Sequence, residues 1–143
     1  VVSHPDAQRV ARRLVQAGLP PAVEIAVASS YEEVREWLAG AHVVVLPRRE
    51  ATGYPMKLLN YMAAGKAIVA TAGAGKGLRN GETARIVADE DVAGFAAAVA
   101  ELLLDPRERR RLGEAARAAA NDPRHYARGL AALEAIYDEV ARA

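Results

Sequence analysis

An α/β fold, a doubly wound parallel sheet with helices on both faces and further helices closing it, is predicted by three observations. The runs His42 to Leu46 and Ala67 to Thr71 are short, β-branched and without polar alternation, as strands covered on both faces are. Segments with helical periodicity separate the apolar runs, and strands joined by helices of this length pair in parallel through right-handed crossovers. From residue 91 onward the pattern is helical only.

Each element follows from local chemistry. Val1-Val2-Ser3 reads as the end of a strand already under way, so the chain is expected to be a fragment of something longer. Pro5 to Ala17 is helical, with Val10, Leu14 and Val15 on one face, and Gly18 ends it before the Pro20-Pro21 break. Val23 to Val27 is the next strand. Ser30 caps a short helix over 31–39, with Glu32 and Glu33 in the first turn, where the helix dipole favours negative charge. Strand 42–46 then enters a loop. Pro55 suits the first position of the following helix, with Thr52 or Gly53 as the cap; Leu58, Leu59 and Met62 are core positions, and Gly65 takes the left-handed conformation that closes it. Strand 67–71 is followed by Gly73, Gly75 and Gly77, an Asn80-Gly81 turn and a strand over 84–87. Three helices close the domain, over 91–104, 106–120 and 124–142, with Asp105-Pro106 and Asp122-Pro123 each marking a stop and a restart.

Composition narrows the function classes. The 143 residues fit one domain, 1–143, and 52% hydrophobic content argues against disorder. Nineteen basic against eighteen acidic residues leave a formal charge of +1, which recommends neither nucleic acid nor an anionic membrane as partner. There is no cysteine, which excludes disulfides, thiolate catalysis and Cys-ligated metals and suits a cytoplasmic location. His4, His42 and His125 lie far apart without ligand spacing, so no metal site is expected. No apolar stretch reaches the ~20 residues that span a bilayer. Val34, Trp37 and Leu38 read as packing of a short helix on the sheet, and Arg107 to Arg111 as a solvated helix face. Tyr126, Leu130, Leu133, Ile136, Tyr137 and Val140 recur at helical spacing as a core or interdomain face.

Function is sought first at residues 52–66. Strand, loop and helix start follow in order, which puts the loop at the carboxyl end of the strand, where helix N–H groups attract an anion such as a pyrophosphate. The alternative is a plain crossover whose helix start binds nothing. Gly73-Ala74-Gly75-Lys76-Gly77 matches neither the Walker phosphate loop nor G-x-G-x-x-G, yet its position after a strand end places backbone N–H groups and the Lys76 charge on the same sheet edge. It is a ligand-facing loop or a simple connection. Lys57 faces phosphates or solvent, Asn60 a ribose hydroxyl or an exposed face, and Arg48 and Arg49 a phosphate or water. Lys66, just past the helix end, complements the helix carboxyl terminus.

These residues also carry a family resemblance. Val43-Val-Val-Leu-Pro47, Gly53-Tyr-Pro, Lys57-Leu-Leu-Asn-Tyr-Met-Ala-Ala-Gly-Lys-Ala-Ile-Val-Ala-Thr71 and Asn80-Gly-Glu-Thr83 resemble the donor-binding half of a retaining, group 1 glycosyltransferase of the GT-B fold. The resemblance implies a Rossmann-like domain that binds a nucleotide-activated sugar as substrate, with no metal or other cofactor. In that family two Glu residues with seven residues between them contact the donor sugar and the ribose; the matching positions here are Thr52 and Asn60, neither a carboxylate. Glu50 stands close by and can reach the sugar instead. The resemblance thus assigns Thr52 and Glu50 to the catalytic side and Gly53, Tyr54, Pro55, Met56, Lys57, Asn60, Gly75 and Lys76 to the donor. The N–H groups of Gly53, Tyr54 and Met56 would stabilise charge growing on the leaving diphosphate, and Pro55 has none to give.

The family's acceptor site, catalytic His and two further diphosphate contacts precede the region corresponding to Val1. The resemblance therefore implies a separate amino-terminal acceptor domain as partner, any peripheral membrane contact being made through it, and these 143 residues alone are expected to be inactive. An apolar stripe on 124–142 would mark the contact with that domain. Two other readings stay open: a non-catalytic binding or assembly module that kept the fold and lost the chemistry, and a sugar-nucleotide epimerase of the same fold.

Overall fold

The computed structural model describes residues 16, 26, 28–49 and 55–140. The chain divides into two compact units, Val1–Gly40 and Ala41–Ala143. In the first, helix α1 spans Tyr31–Gly40. Ser30 Oγ accepts the Glu33 N–H at 3.2 Å, while the Glu33 carboxylate accepts the Ser29 N–H at 2.7 Å and its hydroxyl at 2.9 Å. This is a reciprocal cap, with Ser30 in the expected role. The bonds from Ser29, the backbone N–H first, hold the Glu33 carboxyl below the ordinary glutamate range. Val34, Trp37 and Leu38 are half-buried. The expected helix over 5–17 and the strands at 1–3 and 23–27 lie outside the described residues.

The second unit holds strands β1 (Val43–Leu46), β2 (Ala67–Thr71) and β3 (Arg85–Val87) and helices α2 (Met56–Ala63), α3 (Val92–Leu104), α4 (Pro106–Ala120) and α5 (Pro123–Val140). The strands form a parallel sheet in the order β1-β2-β3. Leu46 lies beside Ala70 and Thr71 beside Val87, so the carboxyl ends of all three strands are aligned. β2 is buried along its whole length, as the apolar run Ala67 to Ala70 predicts. β1 departs from that expectation: Val44 and Leu46 are buried, but Val45 is 41% exposed. Among the described residues β1 pairs with β2 alone.

The core gathers Ala67 and Val69 of β2 with Ala98 and Leu102 of α3 and Leu112 of α4. Ile68 and Ala70 point to the opposite face by the strand's period of two and are equally buried. Helices α3 and α4 begin on aspartate caps. The Asp91 carboxylate accepts the Gly94 N–H at 2.7 Å, and that of Asp105 accepts the Arg107 and Glu108 N–H groups, both at 3.0 Å. Pro106 and Pro123 each open a helix, where a missing N–H costs nothing.

The basic run of α4 is not simply solvated. Arg109 Nη1 donates to the Leu102 and Leu103 carbonyls at 2.7 and 2.6 Å, satisfying the open end of α3. Arg111 pairs with Glu108 at 2.7 Å and donates to the Gly81 carbonyl at 2.7 Å. That pairing lowers the Glu108 carboxyl and raises the Arg111 guanidinium from their ordinary values. On α5, Leu130, Tyr137 and Val140 are exposed; the side chains of Tyr126, Leu133 and Ile136 lie outside the described set.

Candidate functional site

The site is the carboxyl edge of the sheet, where the chain leaves β1, β2 and β3. Helix α2 connects β1 to its parallel neighbour β2, so it runs against the strands and starts at this same edge. Pro55 is the N-cap, with φ −70° and ψ 109°, and not the first helical residue as expected. The residue before the helix is extended, which proline's fixed φ permits, and its ring offers the helix no acceptor. Glu50, Thr52, Gly53 and Tyr54, and with them the Thr52 or Gly53 cap, lie outside the described residues.

The first turn of α2 faces two ways. Leu58 and Met62 are buried, whereas Met56 is 72% exposed, Lys57 is exposed and Asn60 is half-buried. Leu59, expected in the core, is exposed at 38%. Only the 58 and 62 positions, one turn apart, share the inward face of so short a helix. Burial raises the Tyr61 hydroxyl above its ordinary pKa. Gly65 closes the helix at φ 64°, the left-handed conformation expected of it. Lys66 is not a helix-end complement alone: its Nζ donates to the Ala41 carbonyl at 3.1 Å, at the entrance to β1.

The glycine loop after β2 is a series of tight turns. The Thr71 carbonyl accepts from Ala74 at 3.1 Å and Gly75 at 2.9 Å, and Gly75 in turn accepts from Leu78 at 2.9 Å. Gly73 donates to the Asp89 carboxylate at 2.8 Å. The N–H groups of residues 73 to 75 are therefore engaged within the protein. Gly75 is buried, and a Cβ there would press on the Thr71 carbonyl at 3.2 Å and Ile86 at 3.3 Å; Lys76 is exposed. Topology thus brings Pro55, Met56, Lys57, Gly75 and Lys76 to one edge, with Asn60 a turn further along α2.

Two contributors at this edge escape a reading of the sequence. The Thr71 hydroxyl donates to the Arg48 carbonyl and has the Leu46 carbonyl at 3.4 Å. Asp89 holds Gly73. The one signal for the first is a lone hydroxyl at the end of an apolar strand. For the second there is none within the acidic run Asp89-Glu90-Asp91. Arg49 pairs with Glu90 at 3.1 Å, both largely exposed, an interaction worth little. No group of three His, Cys, Asp or Glu is arranged to hold a metal ion among the described residues, and no described helix is long and apolar enough to cross a membrane.

Comparison with known proteins agrees with this geometry. Residues 1–105 match the protein-family model described as Glycosyl transferases group 1. No curated protein sequence matches the chain. Among solved structures, sucrose-phosphate synthase from Thermosynechococcus elongatus superposes with a TM-score of 0.68 at 23% identity, over 88% of this chain and 34% of that one. The C-terminal domain of a glycosyl transferase group 1 family protein from Francisella tularensis superposes with a TM-score of 0.65 at 22% identity, over 78% of this chain and 58% of that one. The parallel sheet with its helices is one half of a GT-B fold, and the chain belongs to the group 1 glycosyl transferases.

Proposed function

We propose that this domain is the donor-binding half of a retaining glycosyltransferase that moves a sugar from a nucleotide-activated donor to an acceptor. The observation that carries the reading is the alignment of three strand ends with the start of α2, which concentrates positive helix-end potential at one sheet edge. In this reading the diphosphate lies against Met56 and Lys57, Asn60 takes a ribose hydroxyl, and Thr52 or Glu50 positions the sugar, with Gly53 and Tyr54 supplying further N–H groups. Gly75 contributes through its lack of a side chain, since its N–H is engaged by Thr71, and Lys76 adds charge. No metal is required where a helix start and basic side chains stabilise the leaving group.

The chain spans 34% and 58% of its two structural neighbours, and we assign the acceptor site to a domain outside these 143 residues. Transfer requires a closed, water-excluding cleft, so the domain alone binds donor without turning it over. A second reading, a binding module without chemistry, is favoured by one observation: neither Thr52 nor Asn60 is a carboxylate. Calorimetric titration of the protein with UDP, GDP and ADP, with and without magnesium, tests the donor assignment. Saturable binding of one nucleotide, indifferent to the metal, is expected; absence of binding for all three refutes it.

A further inference from the structure

We infer that Thr71 is a positioning residue that fixes the exit of β1 at Arg48 through its hydroxyl. The importance of this for nucleotide rests on the donor-site reading above. β2 is otherwise aliphatic and fully covered, and Thr71 at its end is only 5% exposed. The last paired positions of β1 and β2 are Leu46 and Ala70. Beyond them the regular ladder between the two strands stops, and the Thr71 side chain takes over, donating to the Arg48 carbonyl with the Leu46 carbonyl beside it. The chain turns sharply there, with Arg48 N–H bonded to the Leu46 carbonyl at 3.1 Å.

Two neighbours complete the clamp. Gly73 lets the chain at Arg49 come so near that a Cβ on residue 73 would collide with the Arg49 carbonyl. Gly73 is itself held by the Asp89 carboxylate at 2.8 Å, and Ala72 N–H bonds the Val87 carbonyl at 2.8 Å. The exits of all three strands are thus joined through β2. A strand exit held only by its neighbours in sequence samples many conformations, and orientation of a binding loop is lost when its base is free to move.

Threonine allows a test in which packing and hydrogen bonding predict opposite results. Thr71→Val keeps the shape and removes the hydroxyl; Thr71→Ser keeps the hydroxyl and removes a methyl. For each variant, affinity for whichever of UDP, GDP and ADP the parent binds is measured by calorimetry, and amide hydrogen exchange is followed across 47–58. Valine is expected to weaken nucleotide binding by roughly three- to tenfold, the range for one buried hydrogen bond, and to speed exchange, while serine matches the parent in both. Parent-like behaviour of the valine variant in both measurements overturns the inference, as does loss with serine but not with valine. If the parent binds none of the three nucleotides, the donor-site reading fails by itself. Exchange then decides alone: faster for valine than serine sustains the clamp, and equal rates overturn it. Asp89→Asn, which weakens the hold on Gly73, supplies a second variant expected to speed exchange in the same segment.

Discussion

Leu112→Ala is the sharpest test of how the helices are held on the sheet. Leu112 is 0% exposed and packs among Ala67, Val69, Ala98 and Leu102. The substitution removes three carbons, and at about 0.8 kcal/mol per buried carbon the transfer loss alone is roughly 2.4 kcal/mol. Two of the four other buried members of this cluster are alanines, which have no rotamers to swing into the space, so much of the cavity persists. The total should be about 4 kcal/mol, toward the upper end of the about 2 to 5 kcal/mol measured for buried Leu→Ala changes. With a slope of about 1.5 kcal/mol per molar urea, the unfolding midpoint falls by roughly 2.7 M. Equilibrium urea unfolding followed by circular dichroism reads this directly. Leu104→Ala is the control, since Leu104 is 85% exposed and its loss should change stability by no more than about 0.5 kcal/mol. A cost for Leu112→Ala below about 1.5 kcal/mol at unchanged slope would show that α4 does not close the core, and the packing argument would fall.

Two further outcomes are expected. Asp105→Ala removes the acceptor for two N–H groups at the start of α4 and should cost about 1 kcal/mol in the same urea experiment; a neutral result would mean that water replaces the cap. Because Glu33 is lowered in the folded protein, its contribution is fully present above the ordinary glutamate range and is lost as pH falls through its depressed value. Its carboxyl carbon, followed by NMR, should titrate below an ordinary glutamate and move back toward it in Ser29→Ala, which removes one of the two Ser29 bonds; an ordinary midpoint in the parent would disprove the reciprocal cap.

The fold was legible where one residue's chemistry has one common use. Aspartate before proline predicted the start of α4, and glycine after Ala64 the end of α2, because capping and left-handed backbone are local demands. β2 announced itself by four apolar residues in a row before Thr71, with no charged position to turn outward. Misreadings arose where the partner was distant in sequence. Leu59 is as apolar as Leu58 but lies on the outward side of α2, and the arginines of α4 resemble a solvated face until α3 ends beside Arg109. At the site, the motif order located the helix start, but that the glycine-loop N–H groups are engaged by Thr71 and Asp89 could not be read from it.

By itself the sequence determined the order and type of the elements from residue 31 onward, several of their caps and the family, because periodicity, capping and β-branching act over a few neighbouring residues. Tertiary structure alone decided which side of each strand is covered, which arginines carry structure, and how Thr71, Gly73 and Asp89 tie the strand exits together. Those contacts join residues 16 to 25 positions apart, and only the register of the parallel sheet brings them within hydrogen-bonding distance.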